Sequence, residues 1–202
     1  MSTLLGLSLV LALGVAPAVQ QSNPRALVES GQYEAAVDAV ATLEERGNVD
    51  PSLVFLAAGA NERLNRTAQA RRQFDQLAAS PANSPWRFIG QSGLALLDNQ
   101  RPNAVAAARR AAEMNPNLFE AHYQLAIALA RTGQMGEAAA AFERATEVRP
   151  SDAYAHYQAG LAYSKIRRVD QMARHFETFL KLAPNAPERG AVQSIMRTVR
   201  GR

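Results

Sequence analysis

Small and hydrophobic residues recur along this chain at a fixed spacing. The prolines that end three successive apolar segments, Pro116, Pro150 and Pro184, lie 34 residues apart. Each interval of 34 residues holds two helical patterns separated by a turn signal. A helix pair of this size cannot bury its apolar face alone, so neighbouring pairs must stack. The pattern therefore predicts an all-α chain of tandem helical hairpins.

Three columns of equivalent positions predict how each hairpin is built. The turn between its helices needs residues that tolerate positive φ, and that column holds Gly31, Asn65, Asn99, Gly133 and Arg167. A small residue lets the second helix sit close against the first, and that column holds Ala36, Ala70, Ala104, Ala138 and Met172. The residue one helical turn later fills the remaining gap, in the column of Val40, Phe74, Ala108, Phe142 and Phe176.

Residues 119–150 resemble a tetratricopeptide repeat. The positions that match are Ala126, Gly133, Glu137, Ala138, Phe142, Ala145 and Pro150. Residues 153–184 match through Gly160, Tyr163, Phe176 and Pro184. They depart from the family pattern at Arg167, where a turn glycine is expected, and at Met172. The resemblance implies a right-handed α-solenoid of about five hairpins.

The hairpins are expected at about residues 20–50, 51–84, 85–118, 119–152 and 153–184, within an array over residues 19–184. Pro24 should shorten the first helix of the first hairpin. After the array, Asn185 is a candidate N-cap with Pro187 in the first helical turn. Residues 185–202 are then expected to form a capping helix and tail, with an apolar stripe of Val192, Ile195, Met196 and Val199.

The N-terminal residues predict a signal peptide. Residues 4–15 carry no charge, and as a helix they would be about 18 Å long, too short for a hydrocarbon core of about 30 Å. A small-x-small site follows at Ala16-Pro17-Ala18, which places cleavage before Val19 and makes residues 1–18 the signal. The protein is then exported, most simply to a periplasm. An uncleaved anchor and a misplaced start codon are the alternatives, since no basic residue precedes the apolar run.

Composition and charge exclude several classes of site. The chain has no cysteine, so it has no disulfide or thiolate metal site. Its net charge of +4 is uneven: residues 165–202 carry nine basic residues against three acidic ones. A basic end can contact nucleic acid or anionic lipid. Export argues against nucleic acid and leaves membrane contact, through this end or through the N-terminus, as a possibility.

Histidines are the only residues that suggest catalysis or metal binding. His122 and His156 occupy equivalent positions in adjacent hairpins, where a structural role is expected, and no third ligand lies at metal-binding spacing. His175 is expected to face solvent. No nucleophile elbow, phosphate loop or metalloprotease motif is present. We therefore expect neither a cofactor nor a metal, and a non-catalytic protein.

The family resemblance implies that the first helix of each hairpin lines an inner, concave surface. Residues at the inward positions would form an aromatic ladder with a basic border at Arg63, Arg131 and Lys165. The candidate partner-binding residues are Phe55, Trp86, Ile89, Tyr123, Ile127, Arg131, Tyr154, Tyr157, Leu161 and Lys165. Such a surface suits an amphipathic helix or an extended, mildly acidic peptide. The same rings could instead pack between hairpins or hold the chain's own N-terminal segment.

These observations favour an exported adaptor that binds a protein partner. One alternative is a subunit of a membrane-associated assembly in the cell envelope. The other is a structural array that associates with copies of itself through its exposed ends. The sequence leaves the oligomeric state and the identity of the partner open.

Overall fold

The computed structural model describes residues 23–47 and 49–200, with side chains to residue 198. These residues form eleven helices and no strand, which confirms the all-α prediction. The predicted signal peptide lies outside the described residues. The helices are α1 Pro24–Glu29, α2 Tyr33–Glu45, α3 Pro51–Arg63, α4 Thr67–Ala78, α5 Pro85–Leu97, α6 Arg101–Met114, α7 Phe119–Arg131, α8 Met135–Val148, α9 Ala153–Lys165, α10 Val169–Leu182 and α11 Arg189–Arg200.

Successive helices pack as antiparallel pairs, and the pairs follow one another in a right-handed α-solenoid. Helices α3 and α5 begin with proline, preceded by a polar cap: the Asp50 carboxylate accepts a hydrogen bond from the Ser52 amide at 2.7 Å. The same arrangement at Pro24 starts α1 late, so α1 has only 6 residues. In the part of the chain that the structure describes, no helix is long and apolar enough to cross a membrane.

The turn column adopts the left-handed backbone that its composition predicted. Gly31 and Gly133 have φ of 77° and 83°, and Asn65 and Asn99 have φ of 58° and 57°. Arg167, which departs from the family pattern, has φ of 59° all the same. The hairpin geometry therefore forces a residue with a Cβ into a conformation that costs about 1–2 kcal/mol.

The two packing columns are buried along the whole array. All five residues of the column from Ala36 to Met172 are at most 2% exposed. Those of the column from Val40 to Phe176 are at most 3% exposed. Close approach of the helices is visible at Gly160, where an added Cβ would lie 2.5 Å from the Phe176 ring, and at Gly93, where it would lie 2.3 Å from the Phe74 ring. The two columns therefore consist of the residues that pack the helices of each hairpin together.

The capping helix forms, but it begins later than predicted. Residues 184–188 make turns, and α11 starts at Arg189, so Asn185 does not cap it. The buried Ala186 holds this segment against the array, and the Arg189 guanidinium donates a hydrogen bond to the Leu180 carbonyl at 3.1 Å. Val192 and Met196 are buried as the stripe predicted, whereas the side chain of Val199 lies outside the described part.

The first hairpin contacts the last two across the inner surface. The Arg25 guanidinium lies 3.5 Å from the Glu120 carboxylate, and the hydroxyls of Tyr33 and Tyr154 lie 3.1 Å apart. Beside them, a Cβ added at Gly31 would lie 3.0 Å from the Pro187 ring. The array therefore curls until its ends meet, and its inner surface becomes the wall of a cavity.

The third hairpin has no aromatic ring at the inner position between two rings that meet. Phe55 of the second hairpin and Tyr123 of the fourth meet edge to face at 6.3 Å between ring centroids. The equivalent residue between them is Ile89, followed one turn later by Gly93. A third ring at Ile89 would hold the two neighbouring rings apart.

We expect the substitution Arg167→Gly to stabilise the protein by about 1 kcal/mol, because glycine adopts positive φ without a Cβ clash. The measurement is the midpoint of urea unfolding. Arg168→Gly is the matched control, since its φ of −89° gives glycine no advantage, and it should lower the midpoint. Equal destabilisation by both substitutions would contradict the argument.

Candidate functional site

The curled array forms a cavity on its concave side, which we call the inner cavity. Its volume is about 630 Å³, within the roughly 300–1,000 Å³ typical of ligand pockets. Helices α1, α3, α7 and α9 provide most of its wall, and Glu188 closes one end. The described first helices of the other hairpins line the cavity, but α5 does not. The second and fourth hairpins meet in front of it.

Aromatic rings form one wall of the inner cavity. Tyr123 stacks on Phe119 with ring centroids 5.4 Å apart and also meets Phe55 edge to face. On the neighbouring hairpin, Tyr157 contacts Tyr154 at 6.1 Å between centroids. The contacts fix these rings in place, so they offer a large apolar surface at little conformational cost. The side chains of Tyr123 and Tyr157 remain half-buried, which leaves part of each ring facing the cavity.

Most of the predicted site residues line the inner cavity together. They are Phe55, Tyr123, Ile127, Arg131, Tyr154, Tyr157 and Leu161. Tyr154 is the most enclosed of them: it is 5% exposed, and its hydroxyl donates a hydrogen bond to the Glu188 carboxylate at 2.8 Å. It therefore packs the wall and offers little surface to a ligand. The rings therefore differ: Tyr154 packs between hairpins, whereas Tyr123 and Tyr157 keep surface that a partner can contact.

Ile89, Trp86 and Lys165 do not line the inner cavity, which corrects the sequence prediction. Ile89 is fully buried and packs with Val54 and Phe74, because the rings of the neighbouring hairpins cover its side of α5. Trp86 packs at the edge of the same cluster. Lys165, at the end of α9, is exposed beyond the cavity wall.

Ion pairs neutralise the two arginines of the predicted basic border. Arg131 donates to Glu62 at 2.8 Å, a contact between the fourth and second hairpins. Arg63, one position of that border, binds Glu188 at 3.2 Å and lies 4.5 Å from the centre of the Tyr154 ring. The prediction of a free basic edge is wrong for both arginines, because each pairs with a carboxylate that the curled array brings to it.

Glu120 is the most buried charged residue of the wall. Its side chain is 1% exposed and accepts a hydrogen bond from Arg149 at 2.7 Å, with Arg25 at 3.5 Å. Arg149 also lies over the Phe119 ring at 4.0 Å. Two guanidinium groups on one carboxylate compensate the cost of burying the charge. This cluster joins the first hairpin to the fourth.

Glu29 is a cavity residue that the sequence analysis missed. It lies at the end of α1 and lines the inner cavity, where burial and, secondarily, the Asp152 charge raise the pKa of its carboxyl. Burial also raises the pKa of Asp152. Glu29 lies 34 residues before Arg63, so it belongs to the column of the predicted basic border, which the sequence analysis did not extend to the first hairpin.

The histidines have structural partners. The Nε2 atoms of His122 and His156 lie 2.8 Å and 3.1 Å from the carbonyl oxygens of Pro116 and Pro150, in equivalent positions of two hairpins. Since a carbonyl accepts, each Nε2 donates. His175 is buried, with its Nδ1 3.1 Å from the Nδ1 of His156, so the expectation that it faces solvent is wrong.

The hydrogen-bond network assigns tautomers to the buried pair. Because His156 donates from Nε2, its Nδ1 accepts, and His175 must donate from Nδ1. Burial lowers the pKa of His156. Burial and the neighbouring His156 lower the pKa of His175 to about 4. Within residues 23–47 and 49–200 no group of three or more potential ligands could hold a metal ion.

Family models match two parts of the chain. The model described as "Tetratricopeptide repeat" matches residues 25–85, and a second model of that description matches residues 154–186. A model described as "TPR repeat" matches residues 128–166. No curated protein sequence matches the chain.

Several solved structures are similar to this chain, and the first one below shares its fold. TTC0263, described as a thermophilic TPR protein of Thermus thermophilus, is 18% identical with a TM-score of 0.62, covering 87% of this chain and 98% of that one. YrrB, described as a TPR protein with an unusual peptide-binding site, is 21% identical with a TM-score of 0.49, covering 80% and 84%. MamA is 16% identical with a TM-score of 0.49, covering 79% and 93%.

We expect the unfolding free energy to fall by about 2–3 kcal/mol as the pH drops from about 6.5 to about 4. The reason is that in this pH range His175 is protonated in the unfolded chain but stays largely neutral in the folded chain. Urea unfolding at several pH values measures this. His175→Asn should flatten the dependence while still donating to His156, and His122→Asn, the control, should retain it. A pH dependence unchanged by His175→Asn would contradict the prediction.

Proposed function

We propose that this chain, which belongs to the tetratricopeptide-repeat family, is a non-catalytic adaptor that binds a segment of a protein partner in the inner cavity. The observation that carries the proposal is the cavity itself, with half-buried rings from two hairpins facing about 630 Å³ of space. Fold alone does not give function, so the argument rests on this surface.

The exposed parts of the wall are suited to apolar side chains. Ile127 and Leu161 lie one helical turn after Tyr123 and Tyr157, and all four are half-buried and line the cavity. Gly59 faces them from α3, and a Cβ added there would meet no atom within 4 Å. A partner can therefore place anchor side chains between the rings and Gly59.

The shape of the inner cavity restricts how a partner binds. A helix lying along an open groove would need a continuous concave face, and the contact between Phe55 and Tyr123 interrupts it. We therefore favour an extended segment, or the end of a helix, that inserts a few anchors. This mode buries apolar area against rigid rings and leaves the rest of the partner outside.

The chemistry of the wall supports a binding role. The histidine pair is buried away from the inner cavity, where each ring is held by a carbonyl or by the other ring. The carboxylates Glu62, Glu120 and Glu188 are bound by arginines. Groups held in this way are poor nucleophiles and poor general bases, so these residues support binding without catalysis.

The cell envelope is the proposed location. The apolar, uncharged residues 4–15 and the small-x-small site after them support export. Contact of the basic residues 165–202 with anionic lipid stays a prediction, as does membrane anchoring by an uncleaved N-terminus.

Gly59→Trp tests the proposal by filling the inner cavity. We expect this variant to keep or raise the thermal midpoint, because the indole enters open space and glycine is a poor helix former. Binding should fall at least tenfold, since a loss of about 1.4 kcal/mol already has that effect. Quantitative mass spectrometry of proteins co-purified from an envelope extract measures the binding.

Gly136→Trp is the matched control. Gly136 lies in α8, is exposed on the outer face, and likewise has no atom within 4 Å of an added Cβ. A partner retained by the wild type and by Gly136→Trp, but lost with Gly59→Trp, supports the proposal. A partner retained equally by all three proteins would show that the inner cavity is not the binding site.

A further inference from the structure

The charged residues around the inner cavity are unequal in number. Five acidic side chains line it, and the arginines among the lining residues number three. The acidic residues are Glu29, Glu62, Glu120, Asp152 and Glu188, and the arginines are Arg25, Arg63 and Arg131. Including Arg149, which binds Glu120 from the edge of the cavity, still leaves one acidic residue in excess. The cavity is therefore acidic in a chain whose net charge is +4.

Ion pairing identifies the excess charge as Glu29. Arg131 pairs with Glu62, and Arg63 pairs with Glu188. Arg25 and Arg149 share Glu120. Asp152 caps α9, accepting a hydrogen bond from the Ala155 amide at 3.0 Å, and lies 3.9 Å from Arg149.

The Glu29 carboxylate, by contrast, has no ion-pair or hydrogen-bond partner within residues 23–47 and 49–200. The charge of Arg25 acts on it only through space, and less strongly than burial does. It is half-buried in the cavity wall, so water solvates it only in part. An unpaired carboxylate in such a position is costly to the fold. A ligand that brought a positive charge to it would remove that cost.

We propose that the inner cavity recognises a basic anchor: a lysine or arginine side chain of the partner, held by Glu29 and flanked by apolar residues that contact the rings. This inference rests on the proposed function and names the chemistry of the partner segment. It replaces the mildly acidic peptide expected from the sequence, because the arginines that would have bound such a peptide are already paired.

The aromatic wall is compatible with a cation as well as with apolar groups. Ring faces attract lysine and arginine when the cation lies within about 6 Å of the centroid. Arg63 already makes such a contact with the Tyr154 ring at 4.5 Å. Tyr123 and Tyr157 offer comparable faces to a cation that enters the cavity.

Selection of random linear peptides displayed on phage, against the purified chain, tests the inference without knowledge of the natural partner. We expect the selected peptides to be enriched in lysine or arginine next to apolar residues. Fluorescence anisotropy with a selected peptide should then show about tenfold weaker binding to Glu29→Gln, the loss of one charge-assisted hydrogen bond. Gly59→Trp should abolish the same binding.

Glu45→Gln is the matched control, since it removes the same charge from an exposed site at the end of α2. The thermal midpoint gives a second readout. The raised pKa of Glu29 means that its ionised form disfavours the fold above the ordinary carboxyl pKa, so at neutral pH Glu29→Gln should keep or raise the midpoint. Weaker binding by a variant that is no less stable separates recognition from structural damage.

The possible outcomes have distinct meanings. Selected peptides without basic residues, or peptide binding that Glu29→Gln leaves unchanged, overturn this inference and leave the proposed adaptor function standing. Basic peptides that bind Gly59→Trp as well as they bind the wild type also overturn it, because they bind elsewhere. Failure to select any peptide counts against the proposed function itself, and the inference falls with it.

Discussion

The buried carboxylate of Glu120 is the contact on which the shape of the molecule depends. It is 1% exposed and receives Arg25 from the first hairpin and Arg149 from the end of the fourth. Separating the first hairpin from the fourth would take Arg25 from the cluster and leave Glu120 with Arg149 alone, so this ion pair favours the curled array.

Curling gives the inner residues two tasks. Tyr154 holds the first and last hairpins together through its hydroxyl, whereas Phe55, Tyr123 and Tyr157 make ring contacts and keep part of their surface open to the inner cavity. The arginines that a straight array would present as a basic border are engaged by carboxylates of distant hairpins. The binding chemistry that remains is apolar, with one unpaired carboxylate at Glu29.

The sequence was sufficient for the hairpins because their packing is local and repeated. The turn position and the two packing positions recur in every unit, and only Ala108 and Met172 depart in size from the rest of their columns, so one chain shows the same packing five times. Even Arg167, a poor choice for its turn, could be assigned from its column and adopts the expected φ. Repetition also identified most of the aromatic wall.

The rest could not be predicted, because it depends on contacts that occur once. Tyr33 meets Tyr154 and Arg63 meets Glu188 across separations of 121 and 125 residues, and no column contains such a pair. Ile89 was assigned to the inner surface by its column, yet its neighbours close over it. The end of the array differed for the same reason: the contacts of Ala186 and Arg189 delay α11, which local capping signals did not reveal.

A disulfide between the two ends tests the curled array most directly. A Cβ added at Gly31 lies 3.9 Å from the Cβ of Pro187, within the roughly 3.5–4.5 Å that disulfides need, and the chain has no other cysteine. The measurement is the free-thiol content of Gly31→Cys with Pro187→Cys after mild oxidation of the dilute monomer. A curled array predicts complete loss of both thiols through one intramolecular bond. Two thiols that stay reactive in the folded protein would contradict it, and with it the existence of the inner cavity.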